Sequence, residues 1–408
     1  MNAIPKMTVR GRIAKWSAAG VAGAAILLGA AAQEKPKAPA PSADDIVYQF
    51  GYAGNVAQAP MEVLENWLFI PVSVNNAKPG MFELATCETR SAIDPTPWMP
   101  ADANPQAPVT FKNTLLTMPD LDLRVPHIDP KTLAGISSVV GRPIEGVLSN
   151  DVLSKFVVDI EYDRSSIHFN DPKSFQYSGK GVTLPLSMRD GIPHVKAKLK
   201  LQGHRAFDDE FEIRTEYNGG VAISKQAAGA HKIKMGHVKG YAYPNLDGGR
   251  TPNTRAETLF IGPYALQTPP VAFPEPTGTE ALERGVAIGN LIWKKFRVIL
   301  DLPHQRMILE TNMTFPNNIE LDASGVAVLA KGANFKTFEV EGVTPKSPGA
   351  EAGLQKGDVI AGVDNQAAAD LSLADIRMMF ADIGQEYKLT VVRGGKPLEM
   401  KMKTRHLL

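Results

Sequence analysis

Val147-Leu148-Ser149-Asn150-Asp151-Val152-Leu153-Ser154-Lys155-Phe156-Val157-Val158 aligns without a gap to Ala287-Ile288-Gly289-Asn290-Leu291-Ile292-Trp293-Lys294-Lys295-Phe296-Arg297-Val298. The same shift pairs Ile160 with Leu300, Ile167 with Met307 and Phe169 with Leu309. Each copy reads as an apolar strand, a small-residue turn, a short amphipathic helix, then a hairpin turning near Asp163-Arg164 or Pro303-His304. A second pair of segments lies upstream. Phe82-Glu83-Leu84-Ala85-Thr86 corresponds to Phe211-Glu212-Ile213-Arg214-Thr215, each after a strand-and-turn passage: Trp67 to Val74 with Asn75-Asn76, and His194 to Leu201 with Gln202-Gly203. Two matched elements in the same order predict two lobes of like fold.

The 408 residues suffice for several domains, each with its own core. With 44% hydrophobic and 21% charged residues and a net charge of +1, the chain has no broad field for nucleic acid or anionic membrane, so neither is expected as a partner. Its 31 prolines and 35 glycines break short aliphatic segments, which predicts a mainly β body.

Lys6, Arg10, Arg12 and Lys15 precede an uncharged run from Trp16 to Ala32 that ends Ala30-Ala31-Ala32, the form of a secretory signal cleaved after Ala32. An uncleaved anchor is the alternative, and would be the only membrane attachment. Residues 1–32 are therefore assigned to export, and the Pro/Ala-rich stretch 33–45 to a linker. The expected location is the periplasm or cell envelope. The single cysteine, Cys87, excludes an intrachain disulfide.

The duplicated elements resemble those of bacterial retropepsin-like aspartic peptidases, in the two-lobed exported form with an appended PDZ domain, over about Asp45 to Leu408. The resemblance implies a first lobe over 46–175, a second over 176–316 and a PDZ domain over 317–408. The fold class is then mainly β, two pepsin-type lobes followed by an α+β PDZ domain. In that family each lobe presents Asp-Thr-Gly at a strand end, and the two carboxylates share a proton to activate water. Here the Asp slots hold Ala85 and Arg214, the Thr positions keep Thr86 and Thr215, and the Gly slots hold Cys87 and Glu216. A methyl group shuttles no proton and a guanidinium is no base, so the family's mechanism is absent on this alignment. This predicts a degenerate peptidase, a pseudoprotease.

Nearby acids offer the alternative of an active endopeptidase with a displaced pair drawn from Glu88, Asp94 and Glu216. The plainer expectation is that Glu88 and Glu216 are solvated charges or partners of Arg90 and Arg214. For Arg214 itself, the candidate partners are Glu216 of its own loop and Glu88 of the opposite one. Cys87 is either a reactive loop thiol or a buried one. His231 and His237 lie among Lys232, Lys234 and Lys239, a cationic setting that opposes metal binding and reads as a solvated loop or basic rim. No cofactor or metal site is expected.

The C-terminal region has its own signature. Ser347-Pro348-Gly349-Ala350-Glu351-Ala352-Gly353-Leu354 reads as a capped helix ending in glycine, and Lys356-Gly357-Asp358-Val359-Ile360 as a turn into a buried strand. Ser372 caps a helix from Leu373 to Asp382, and a hairpin closes through Gly394-Gly395. These passages resemble a bacterial PDZ domain, which implies peptide capture as an added strand with backbone amides holding a C-terminal carboxylate. The groove residues are then Gly325, Val326, Ala327 and Val328 facing Leu373 and Arg377. Ser324-Gly325-Val326-Ala327 departs from the usual Gly-Leu-Gly-Phe loop, so the groove is weak, closed or filled by a neighbouring segment. Leu373 is either a contact for an apolar C-terminal side chain or core. The expected function is a non-catalytic binder of peptides or proteins, with a structural part of an envelope assembly as a further class.

Overall fold

The computed structural model describes residues 45–51, 54–98, 110–234, 241–244, 250–274, 282–319 and 321–407. The stretch 1–32 assigned to export, almost all of the 33–45 stretch assigned to a linker, and His237 lie outside them. The described body is mainly β, as expected, with two lobes followed by a smaller α+β module.

In the first lobe, strand Trp67–Val74 turns through Asn75 and Asn76, both left-handed with φ of 49° and 63°, and returns as Gly80–Leu84. Asparagine tolerates that conformation better than most residues, which makes this pair a turn signal. Gly80–Leu84 then lies parallel to Gly146–Leu148, with Phe82 opposite Gly146 and Leu84 opposite Leu148. The second lobe repeats the arrangement. Ile192–Leu201 pairs with Phe207–Ile213, which lies parallel to Val286–Ile288, with Phe211 opposite Val286 and Ile213 opposite Ile288. In both lobes the inner strand is flanked on its other side by an antiparallel strand, Ala92–Ile93 or Val221–Ile223. The short helices Asn150–Leu153 and Asn290–Trp293 follow, also in equivalent places.

Each helix leads into a hairpin, Val157–Glu161 with Ser166–Asn170 and Phe296–Asp301 with Arg306–Thr311. Tight turns at Tyr162–Arg164 and Leu302–His304 end on left-handed Ser165 and Gln305. The inner strands of the two hairpins pair antiparallel, Val158 opposite Leu300, so one sheet runs through both lobes. Its interior is apolar: Phe156, Val158, Ile160, Phe169, Phe296, Leu300 and Leu309 belong to a single core that continues from lobe to lobe.

The C-terminal module is a sheet ordered Val326–Lys331, Thr337–Val343, Val359–Val363, Glu386–Arg393, Lys396–Lys403, with helix Leu373–Ala381. Ser372 and Asp375 form a reciprocal cap at the start of that helix. The module has a core of its own, centred on Val328, Phe338, Val340, Ile376, Phe380 and Leu389. Asp358 is fully buried and accepts from Nε and Nη2 of Arg393 at 2.6 and 2.8 Å, which neutralises the carboxylate that the Lys-Gly-Asp turn brings inside.

Candidate functional site

The two strand ends Leu84-Ala85-Thr86 and Ile213-Arg214-Thr215 meet at the lobe boundary. Their backbones are held alike: Ala85 donates its N–H to Leu148 O at 2.9 Å and Arg214 to Ile288 O at 3.0 Å. The threonines then cross over. The Thr86 hydroxyl donates to the carbonyl of Ile213, and the Thr215 hydroxyl donates to that of Leu84 at 2.7 Å. The Thr215 N–H closes the lattice by donating to Thr86 Oγ1 at 3.1 Å. Both threonines are buried, so each bond replaces one to water that neither group can make.

Behind each threonine stands an asparagine. Asn150 donates from Nδ2 to Thr86 O at 2.6 Å and to Gly191 O at 2.8 Å. Asn290 donates to Thr215 O and accepts from the Tyr162 hydroxyl of the first lobe at 2.8 Å. The sequence-matched residues Thr86 and Thr215, Asn150 and Asn290, and Ala85 and Arg214 thus hold equivalent places.

The residues just before the two threonines differ. Ala85 is 1% exposed and packs among Phe69, Met81, Ala92 and Val147. Arg214 donates from Nε to Glu212 Oε2 at 2.8 Å, on its own strand, and lies 3.8 Å from Glu216 Oε1. Glu88 pairs with Lys131 at 2.5 Å, and Arg90 with Asp129 at 3.8 Å. The carboxylate that crosses between lobes is Glu216: its Oε2 accepts the N–H groups of Thr86 and Cys87 at 3.0 and 3.2 Å. Of the two expectations for Glu216, a solvated charge or a partner of Arg214, the second holds: its side chain is 14% exposed and lies 3.8 Å from the Arg214 guanidinium. Cys87 and Glu216 are not among the residues with positive φ, so neither position requires glycine.

The acids here are shifted by their surroundings. Burial pushes the Glu216 carboxyl up, against the pull of Arg214 and of the Cys87 amide. Burial also raises Glu83 well above the usual range, with Glu216 and Glu88 adding repulsion. Glu83 is 3% exposed and sits on strand Gly80–Leu84, two residues before Ala85. Sequence reasoning passed over it, because its alternation with Phe82 and Leu84 reads as an outward position. Burial, reinforced by Glu216, pushes the Cys87 thiol far up, which removes the reactive thiolate considered above. Asp94 belongs to another place: it accepts the N–H groups of Thr96 at 2.9 Å and Leu133 at 2.7 Å and holds a loop of the first lobe.

Two other clusters carry little. Asp159, Glu161 and His168 have ligand atoms within 4.8 Å of one another, but the Arg297 guanidinium grips Asp159 at 2.9 and 2.6 Å and lies 3.5 Å from Glu161. The cation's place is already filled. His231 stacks on Phe207 at 3.8 Å and pairs with Asp209 at 2.7 Å, instead of standing in a solvated rim.

A cleft of about 730 Å³ is lined by Val326, Ala327 and Val328 on the strand side and by Arg377 and Phe380 of the helix, while Gly325 lies against Thr344 and Ser347. Leu373 is 3% exposed within the module's core. Arg377 reaches from the helix to Val328 O at 2.6 Å and to Val139 O of the first lobe at 2.5 Å.

The PDZ-domain family matches residues 320–404, so the chain contains a PDZ domain there. No match was found among curated proteins. Solved structures similar to parts of the chain include a photosystem II D1 C-terminal processing protease, at 23% identity over 21% of this chain and TM-score 0.19. The chain covers 23% of that protein's length. Others are a retropepsin-like aspartic protease from Rickettsia conorii, at 15% identity over 33% of this chain and 95% of that one with TM-score 0.24, and an aspartic proteinase from Irpex lacteus, at 12% identity over 65% and 99% with TM-score 0.40.

Proposed function

We propose that this chain is an exported, non-catalytic protein of the cell envelope, built on an internally duplicated aspartic-peptidase-like body, that binds peptide or protein ligands through its lobes, its PDZ domain or both. One observation carries the reading. The reciprocal threonine bonds bring Ala85 and Arg214 to the two equivalent strand ends, where a water-activating pair would need carboxylates. A buried methyl and a paired guanidinium neither accept nor share a proton. Purified mature protein should leave denatured casein uncut between pH 3 and 7. N-terminal sequencing of the exported form should begin at Gln33; an intact N-terminus would replace cleavage with anchoring.

A second reading, an endopeptidase with a displaced pair, is favoured by the raised carboxyls of Glu83 and Glu216. Against it stands the use of Glu216 Oε2 as acceptor for two backbone N–H groups, which commits that oxygen to structure. Casein cleavage abolished by Glu83→Gln or Glu216→Gln would make this the correct reading.

A further inference from the structure

The PDZ strand Val326–Lys331 is an edge strand, paired on one side only, and its other side is where an added peptide strand would bond. That side is taken. Arg377 donates to Val328 O at 2.6 Å, and Ser138 Oγ, from helix Ala134–Val140 of the first lobe, donates to Ala330 O at 2.6 Å. The segment's last residue, Gly141, sits so close that a Cβ there would stand 3.0 Å from Leu373 Cβ and 3.6 Å from Ala330 Cβ. Arg377 fastens the contact a second time, donating to Val139 O at 2.5 Å and pairing with Glu65 of the first lobe at 3.0 Å.

At the carboxylate end the cleft beside Val326 stays open, but its loop amides are taken. The loop amides that would receive a terminal carboxylate point at a resident one: Asp322 Oδ1 accepts the Ser324 N–H at 3.1 Å and Oδ2 accepts the Gly325 N–H at 2.5 Å. Val326 N–H goes to Ser324 Oγ at 3.1 Å, and Ser324 Oγ donates to Asp322 Oδ1 at 2.6 Å. Chain from the first lobe and a carboxylate from the module itself thus stand in for the two parts of a peptide ligand.

We propose that the strand edge of the PDZ groove at Val328–Ala330 is held shut by the first lobe through Ala134–Gly141, and opens to a ligand only when that segment detaches. Because Asp322 keeps the amide nest, the ligand it then takes is an internal extended segment, added as a strand along Val328 and Ala330, in place of a free C-terminus. This rests on the binding-protein reading, and the two fail separately: casein cleavage sinks that reading and leaves the groove measurements below untouched.

The test uses the full mature chain and Ser138→Trp, whose side chain cannot fit where Ser138 Oγ lies 2.6 Å from Ala330 O. Arg377→Ala serves as a second variant should the first fail to fold. Hydrogen exchange read by mass spectrometry should show residues 134–141 and 326–331 protected in the native chain. Both should speed up together by about tenfold in the variant, with 82–87 unchanged. Two pools of fluorescent decapeptides with randomised final residues, one with free and one with amidated C-termini, should be retained by the variant about tenfold more than by the native chain, and equally with each other. Fast exchange in the native chain, release of only one segment, or equal retention by native and variant, strong or absent, would overturn the closure. A preference for the free acid pool would overturn the role given to Asp322.

Discussion

The strand ends of the first and second lobes are alike in everything that holds them and unlike in what they present. Both donate a backbone N–H into the adjacent parallel strand, both carry a threonine that bonds across the boundary, and both are backed by an asparagine. Yet the first ends in a buried methyl, the second in a guanidinium flanked by Glu212 and Glu216. The lattice is set by main chain and hydroxyls, so it is the same whether the residue before the threonine is a buried methyl or a paired guanidinium. The lesson is that the threonine pair fixes how the two strand ends meet, while the residue before it decides what charge is placed there.

Within the lattice the two threonines are unequal, and mutation would expose this most. The Thr86 hydroxyl both donates to Ile213 O and accepts from Thr215 N–H, whereas that of Thr215 donates to Leu84 O. Thr86→Val should lose roughly 2–4 kcal/mol in urea denaturation and Thr215→Val about 1–2, since each buried group left unpaired costs about 1–3. Equal losses would make the boundary symmetric. Next in size is the difference between the loop acids. Glu216→Ala strips the Thr86 and Cys87 amides of their acceptor and should lose about 1–3 kcal/mol, while Glu88→Ala, in a pair with side chains 35% and 45% exposed, should stay within about 0.5. Arg214→Ala and Glu88→Ala should then be additive, because their partners lie in different lobes.

The smallest effect concerns acidity. Glu83 and Glu216 have folded-state carboxyls raised above the ordinary value of 4.5, so around and above that pH the folded chain holds protons that the unfolded chain has released. Stability should therefore fall as pH rises from about 4.5 through the folded values, the reverse of a salt-bridged carboxylate. Glu83→Gln should flatten that slope and raise the Tm at pH 7 by a few degrees. A Tm that climbs with pH in both proteins would place these carboxylates in a favourable setting and undo the contrast with Arg214.

The mainly β fold with a terminal PDZ domain was legible because the repeated elements kept their order and their apolar spacing, and because Asn75-Asn76 and the Ser372 cap are local signals. Thr86 and Thr215 were legible for the same reason. Glu83 was not, since period-two alternation marks an outward face only when one side of a strand is wet. Here Phe82 and Leu84 enter one core while Met81 and Ala85 enter another, so both sides are covered. The reach of Glu216 into the opposite lobe, and of Ser138 to Ala330, depend on which distant segments the fold brings together, and no local pattern encodes that.

The sheet running through both lobes constrains the order of events as the chain folds. Hairpin Val157–Asn170 forms from neighbours in sequence, but the inner edge it offers, Val157–Glu161, finds its partner only when Phe296–Asp301 has been made and delivered. Such distant pairing is slow, and an unpaired apolar edge invites other chains meanwhile. A chain interrupted between the two hairpins would carry that edge uncovered, so the closing of the first lobe's sheet depends on residues made more than a hundred positions later.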